Sequence, residues 1–468
     1  MAYIALTLFV VLHHEPWRDE ADTWLYARDA DLGTLFSRLR YIGSPGLWYV
    51  LLMPLAKSGL PYLSQSLFHL GLAAAAAALW LYRAPLPLRT RLLFLFSFFM
   101  AYEYAVVARS YVLSVLLLFV AAALHPRRFR QPLLYSLPVV LLAHANAHSI
   151  GIAAILGTAF GWQLIRSPSS RRNVRAWAAA AVMVASLAAA AFLLRAPPDP
   201  NIVSEGLPNP LALFASIGGA FFPSLDLWTA AFLGSVVLVA VAGLVVHRPH
   251  AFFVLAASCA WLLYVFVFRY SGSARHHGLI LVVALYALWV AGLEDALPRL
   301  TTSAPSVTAS LPPRVGLFAV DACLVFSVVY AALHWRLDTQ EAFSASREMA
   351  LYVRDAGYGG HTIAAHKAPH AEALLPYLPG VRFWYLGLGE FGTYMKWDTD
   401  YRVRGQDLPY EEALTRFNDV PAPRETTLLL LNAPVPEAFL GQFRLLYATK
   451  ATVFFHHDEV YFLYAPVL

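Results

Sequence analysis

Residues 227–246 read LWTAAFLGSVVLVAVAGLVV, twenty consecutive residues without a charged side chain. In a helix rising about 1.5 Å per residue, such a run covers the roughly 30 Å hydrocarbon core of a bilayer. Runs of this kind recur, and the candidate spans are 1–14, 64–82, 92–106, 110–124, 132–147, 149–165, 176–194, 227–246, 251–268, 278–296 and 315–334. Of the 468 residues, 59% are hydrophobic and only 13% charged. A soluble domain carries roughly a quarter charged residues. The sequence therefore predicts a polytopic α-helical membrane protein of about 11 transmembrane helices. The net charge of +5 does not point to nucleic acid, because the surplus sits in short loops between spans. Cys259 and Cys323 both fall inside apolar runs, so no disulfide framework and no zinc pattern is available.

The arginines set the expected orientation. One set of loops holds Arg83, Arg89, Arg91, Arg127, Arg128, Arg130, Arg166, Arg171, Arg172, Arg175, Arg248, Arg299 and Arg314. The short loops of the other set hold only Arg109, Arg195, Arg269 and Arg275. The positive-inside rule makes the first set cytoplasmic. The protein then belongs to the cell (cytoplasmic) membrane, with the loop at 15–63 and the C-terminus outside. The first twelve residues lack a basic start and a small-residue cleavage pattern, so no cleavable signal is expected. They are also short for a span; either the helix runs on through His13-His14 or residues precede it.

In the loop at 15–63, Trp24, Leu25, Tyr26, Leu32, Leu35, Phe36 and Leu39 recur at helical spacing, which predicts one amphipathic helix lying at the interface. Gly46–Leu55 is too short to span and is expected re-entrant or flat. The Ser/Thr/Pro-rich stretch 301–314 reads as a disordered linker. After about 335 charge returns and apolar runs shorten. Helices are expected at Ser344–Ala356, Ala371–Leu378 and Glu411–Phe417, strands at Thr362–Ala365, Arg382–Leu386 and Thr427–Leu431, with strand-like alternation ending at Tyr464. Residues 335–468 thus read as an extracytoplasmic α/β domain beside a transmembrane domain, 1–334.

Directly behind the first apolar stretch stands His13-His14-Glu15-Pro16-Trp17-Arg18-Asp19-Glu20-Ala21-Asp22-Thr23-Trp24. Carboxylates at a membrane boundary are costly to keep unless they pair, bind or react. Asp19 and Glu20 can serve a hydroxyl as general base or hold a divalent cation; alternatively Asp19 caps a helix with Asp22 in its first turn. The chain resembles the GT-C superfamily of integral-membrane glycosyltransferases, in the branch with protein O-mannosyltransferases and the lipid A aminoarabinose transferase. The resemblance lies in Asp19-Glu20 after the first span, Gly43-Ser44-Pro45-Gly46-Leu47-Trp48-Tyr49 next, and Ala108-Arg109-Ser110-Tyr111 opening a later span. Ser44 and Gly46 stand where His and Pro are usual, and Val106-Val107 where Gln-Glu often precedes Ala-Arg, with Glu103 one helical turn upstream.

The resemblance implies transfer of a sugar from a polyprenyl-phosphate lipid to an acceptor hydroxyl on a glycan, lipid or protein, with inversion, outside the membrane and with Asp19 as base. No nucleotide sugar is needed, which suits the absence of a phosphate-cradling glycine loop. Cations for a leaving phosphate are expected at Arg269, Arg275, His276 and His277, with Arg109 at another external turn; Arg109 can instead pair with Glu103. His144 and His148 stand four apart at the external end of the fifth span. That is metal-capable spacing on a continuous helix, but a helix break is expected here, and the pair reads foremost as polar helix-end packing or as substrate hydrogen-bonding groups. His361, His366, His370 and Lys367 cluster in the external domain, which reads foremost as a lid. The Gly387, Gly389, Gly392 spacing lacks the long helix of a dinucleotide site, and His456–Glu459 reads as a hairpin turn. Two other functions compete: a transporter or flippase for a lipid-linked glycan, and a non-catalytic envelope assembly protein. Charge gathered on one external face rather than in mid-span favours the enzyme.

Overall fold

The computed structural model describes residues 1–197, 199, 208–296, 313–455 and 457–467. Twenty helices come in chain order. They are α1 (Ala2–His13), α2 (Arg18–Asp29), α3 (Leu32–Ile42), α4 (Leu47–Lys57), α5 (Leu63–Arg83), α6 (Leu88–Leu95) and α7 (Tyr111–Leu124). Next are α8 (Pro132–Ala143), α9 (Ala147–Arg166), α10 (Pro168–Arg171), α11 (Val174–Leu193), α12 (Leu211–Phe221), α13 (Leu227–Val245), α14 (Pro249–Phe268), α15 (Ala274–Ala296) and α16 (Pro313–Gln340). The last four, α17 (Ser346–Asp355), α18 (Ala368–Ala371), α19 (Thr399–Gly405) and α20 (Tyr410–Thr415), belong to the C-terminal part.

Among the described residues seven helices, α5, α9, α11, α13, α14, α15 and α16, are long and apolar enough to cross a membrane. Each coincides with an expected span. The other four expected spans are shorter helices: α1, α7, α8 and, for 92–106, the eight-residue α6 followed by a π-helical turn at Phe99–Glu103. α12 was not legible at all, its glycine-rich eleven residues being too short to register as a span. The bundle's outer surface is apolar: Phe232, Val239, Val184 and Phe318 are each 66–68% exposed, a surface suited to lipid rather than water. α15 is the central helix, with every residue from His276 to Ala291 buried. It packs against α7, α12, α13 and α14.

The expected single amphipathic helix is two. The first ends at Asp29, and Asp31 caps the second, its Oδ1 accepting the Thr34 N–H at 2.7 Å. α2 presents no open face over Glu20–Ala27, which are all buried, against α4 and a 3-10 segment at Glu372–Tyr377. Gly46–Leu55 opens α4, entered through Gly46 at φ 95, where a side chain would strike Leu39.

The C-terminal part is a six-stranded mixed sheet in the order β3-β2-β1-β4-β6-β5. β1 (Thr362–Ala365) runs parallel to β2 (Phe383–Tyr385) and β4 (Thr427–Leu431). β3 (Glu390–Gly392), β5 (Phe443–Ala448) and β6 (Phe462–Pro466) add antiparallel edges. The three parallel strands were read from the sequence; β3 is a three-residue return and β5 carries Arg444 and an irregular register, and neither shows clean alternation. The helix expected at Ala371–Leu378 is mostly the 3-10 segment, with Pro376 inside it. The linker expected at 301–314, apart from the two residues that open α16, lies outside the described residues, as does His456.

This sheet domain grips α2 and α3. Arg28 donates to the Leu375 carbonyl (3.2 Å), Arg38 pairs with Asp398 (2.9 Å) and Tyr26 donates to the Met395 carbonyl. Arg18 pairs with Asp458 (2.9 Å), which also meets His370 (2.7 Å). His370 and Asp458 therefore serve the domain contact, and Glu459 is a buried partner of Arg18 rather than part of an open turn.

Candidate functional site

α2 opens with a capping box: Trp17 is the N-cap, and Glu20 at N3 reaches back to the Trp17 N–H. Asp19 is therefore a first-turn residue and not the cap. Neighbours on a helix point about 100° apart, so Asp19 and Glu20 cannot share one environment. Glu20 turns inward and is fully buried. Its Oε1 accepts the Ala108 N–H at 2.6 Å and its Oε2 meets His14 Nε2 at 3.1 Å. The other nitrogen of His14 meets Asp338 Oδ2 at 2.7 Å, and the Tyr102 hydroxyl donates to the same oxygen at 3.1 Å. An imidazole between two carboxylates donates from both nitrogens and is therefore charged. Burial raises the Glu20 carboxyl's pKa, but the charge and hydrogen bond of His14 and the Ala108 N–H outweigh it and hold the pKa below its ordinary value. Glu20, paired with Asp19 as a reactive candidate in the sequence, is thus an enclosed anchor.

Asp19 turns outward, with 29% of its side chain exposed. Its Oδ2 lies 3.5 Å from Arg109 Nη2 and 3.5 Å from Arg275 Nη2, and Arg109 also donates to the Asp19 carbonyl. The Arg275 guanidinium lies 4.9 Å from the centre of the Trp17 ring. The segments around 19–20 and 108–109 thus meet residue against residue, Glu20 on Ala108 and Asp19 on Arg109. Arg109 takes Asp19, not Glu103, as its ion-pair partner.

Arg275 also lines a cavity of about 370 Å³ with Glu103, whose further walls include Phe98, Tyr330, His334, Phe343 and Phe455. The π-helical turn delivers Glu103 to this cavity, and Tyr104 donates to the Arg275 carbonyl at 2.8 Å. Beside it His276 packs on Tyr111 (5.0 Å) and His148 (4.8 Å); its Nδ1 accepts from the Ser273 N–H (2.9 Å). His277 meets the Ser271 carbonyl at 2.9 Å. Both histidines are buried and engaged, so Arg275 alone of that run reaches the carboxylate. Arg269 is exposed at the end of α14.

His144 and His148 do not share a helix face. α8 ends at Ala143, and Asn146 caps α9, accepting the Ser149 N–H at 3.0 Å. His144 instead meets Ser186 Oγ at 3.1 Å, while the ring of buried His148 has no hydrogen-bond partner. The polar Asn-Ala-His sequence satisfies a helix start, and the expected helix break removes the metal-capable spacing. Among the described residues no group of three or more His, Cys, Asp or Glu side chains could hold a metal ion.

Sequence reasoning gave no role to His14 or Asp338, which meet across 324 residues of chain, and read Asp22 only as a first-turn residue. Asp22 is buried; burial first, and the neighbouring Asp19 charge second, push its carboxyl up to about 7 against the Arg109 charge and hydrogen bonds from Trp397 and Met395. The only signal for these was a charged residue beside an apolar run. No protein-family model, no curated protein and no solved structure matches this chain.

Proposed function

We propose that this chain is an integral-membrane glycosyltransferase that moves a sugar from a polyprenyl-phosphate donor to an acceptor hydroxyl, with inversion, on the outer face of the cytoplasmic membrane. The reading rests on one observation: a part-exposed carboxylate, Asp19, stands between two arginines, and one of these also lines a cavity with aromatic walls. In this reading the basic loops face the cytoplasm, and α1, α7, α8 and the segment of α6 with its π-helical turn complete eleven passes with the seven long helices. The resemblance drawn from the residues around 19–20, 43–49 and 108–111 supports the same class.

Asp19 takes the proton of the acceptor hydroxyl. The hydroxyl oxygen forms its bond to the anomeric carbon from the face opposite the leaving group, the bond from that carbon to the phosphate oxygen breaks, and polyprenyl phosphate departs with the electron pair. The phosphate gains charge as it leaves, so fixed guanidinium groups lower the barrier. A charge-assisted arginine–carboxylate contact is about 2.7–2.9 Å when tight. The two contacts to Asp19 are 3.5 Å, loose enough for phosphate oxygens to take a share of both arginines. Tyr330, Phe343 and Phe455 offer faces against which a sugar ring packs, and Glu103 offers an acceptor for its hydroxyls.

The test is sugar transfer by the purified full chain from a polyprenyl-phosphate donor, with Asp19→Asn as the variant. Inserted, folded protein with transfer down by about 10²–10⁴ is expected. Retained transfer removes Asp19 as the base.

A further inference from the structure

A second cavity lies at the other end of the bundle. His148 packs beside the charged site and Arg166 ends the same helix, α9. Eighteen residues of helix separate them by about 27 Å, close to the thickness of the hydrocarbon layer. At that far end a groove of about 510 Å³ opens between α9 and α14, lined by Thr158, Trp162, Gln163, Arg166, His250 and Phe253. Trp162 is 57% and Phe253 41% exposed, so the groove faces lipid.

Its polar groups gather at one level. Arg166 stacks on Trp162, its guanidinium 4.3 Å from the ring centre. Gln163 is fixed: its Oε1 accepts from Arg128 Nε at 2.8 Å and its Nε2 lies 3.3 Å from His250 Nδ1. His250 is 7% exposed, and its Nε2 has no hydrogen-bond partner. A buried polar atom left unpaired is costly, and His250 is one of the residues that line the cavity. The apolar groups sit deeper, Ala159 lying seven residues, about 10 Å, nearer the middle of α9 than Arg166. The loops at this end carry Arg127, Arg128, Arg130, Arg171, Arg172 and Arg175, while Glu294 stands 3.6 Å from His125.

We propose that this groove is a binding site for an anionic phospholipid, its phosphodiester against Arg166 and His250 and an acyl chain along Trp162 and Phe253. Basic pockets between transmembrane helices take anionic headgroups in this way. The polar level matches a headgroup, the apolar depth matches a chain, and the unpaired imidazole nitrogen gains an acceptor. The site is independent of Asp19 and of any sugar transfer.

Native mass spectrometry of the full chain in detergent tests it, with phosphatidylglycerol, phosphatidylcholine and polyprenyl phosphate as separate probes. Retained phosphatidylglycerol should exceed phosphatidylcholine, and Arg166→Gln should cut it about five-fold, as for one arginine near an anionic headgroup. Arg166 is exposed, so this variant keeps the fold. His250→Phe should lower retention again, and brominated-chain phosphatidylglycerol should quench a fluorescence component that Trp162→Phe removes. Equal retention of the two phospholipids, or a phosphatidylglycerol signal unmoved by Arg166→Gln, overturns the proposal. So does an Arg166-dependent signal from polyprenyl phosphate alone.

Discussion

Asp19 and Glu20 are chemically alike and adjacent, and opposite substitution effects are expected of them. Glu20 has no exposure and takes three donors: Ala108 N–H at 2.6 Å, His14 Nε2 at 3.1 Å and Trp17 N–H at 3.4 Å. In Glu20→Gln one oxygen becomes an NH2 group, which must face either the Ala108 N–H or the charged imidazole. Breaking a buried pair by removing one partner costs about 3–5 kcal/mol, because the remaining charge stays buried. Asp19→Asn removes two contacts of 3.5 Å from a part-exposed group, each worth about 0.2–1 kcal/mol. With an unfolding entropy near 2 cal/mol/K per residue, each kcal/mol in a chain of 468 residues is worth about 1 °C. Helices that persist in detergent lower that entropy, so a fall of about 3–5 °C for Glu20→Gln is a minimum. Intrinsic tryptophan melting in one detergent, run beside the transfer assay, separates the two. Asp19→Asn should melt within about 2 °C of wild type and lose transfer. A Glu20→Gln protein melting with wild type, or an Asp19→Asn protein melting as low as Glu20→Gln, refutes the assignment of anchor and reactive group.

Four further outcomes are expected. Arg275→Lys, which keeps the charge but not the planar fork, should raise the donor KM about ten-fold with a smaller change in kcat; an unchanged KM removes Arg275 from the phosphate. Gly278→Ala places a Cβ 2.3 Å from the Phe99 ring and 2.6 Å from the Tyr104 hydroxyl, so a loss of about 1–3 kcal/mol is expected in the same melt. Burial lifts the carboxyls of Asp22 to about 7 and Glu459 to about 8. Their folded pKa values lie above the unfolded ones of about 4, so their contribution is complete below pH ~4 and is lost as pH rises through 7–8. Melting temperature should therefore drop between pH 6 and pH 9, and Glu459→Gln should flatten that slope. Finally, with Cys259 and Cys323 buried, an impermeant maleimide added to intact cells should label Leu440→Cys and spare Arg172→Cys; the reverse pattern inverts the proposed orientation.

What could be read from the chain followed from how local each signal is. The seven long spans announce themselves because eighteen or more apolar residues in a row have one stable home. α1, α7 and α8 were harder to read: they are short, and only their packing on long neighbours covers their buried faces, as with Tyr3, Thr7, Val10 and Val11 of α1. The π-helical turn at Phe99–Glu103 looks in sequence like part of an apolar helix, because nothing local to FMAYE announces the bulge. The site divides in the same way. Asp19, Arg109 and Arg275 could be listed as charges at external loop ends, but their meeting depends on a fold that brings together positions far apart in the chain. The separate fate of Glu20 depends on His14 and on the backbone N–H of Ala108, and an alanine marks no carboxylate's partner in the sequence.

The pairing of Glu20 with Ala108 has a cause in burial. From Tyr104 to Ser110 the chain leaves helical form while Tyr104–Ala108 stay buried, so the backbone groups this frees need partners within the protein. The Val106 N–H returns to the Tyr102 carbonyl at 2.7 Å, the Ala108 N–H goes to Glu20 at 2.6 Å, and His69 sits 3.3 and 3.2 Å from the carbonyls of Ala105 and Arg109. Side chains of α2 and α5 thus do what a regular helix would have done for itself. Across the break Glu103 faces the cavity while Arg109, six residues on, faces Asp19. A carboxylate that holds such a break must be ionised and enclosed, and one that accepts a proton from a substrate must be reachable. Two adjacent residues of one helix, about 100° apart, meet both demands from a single turn.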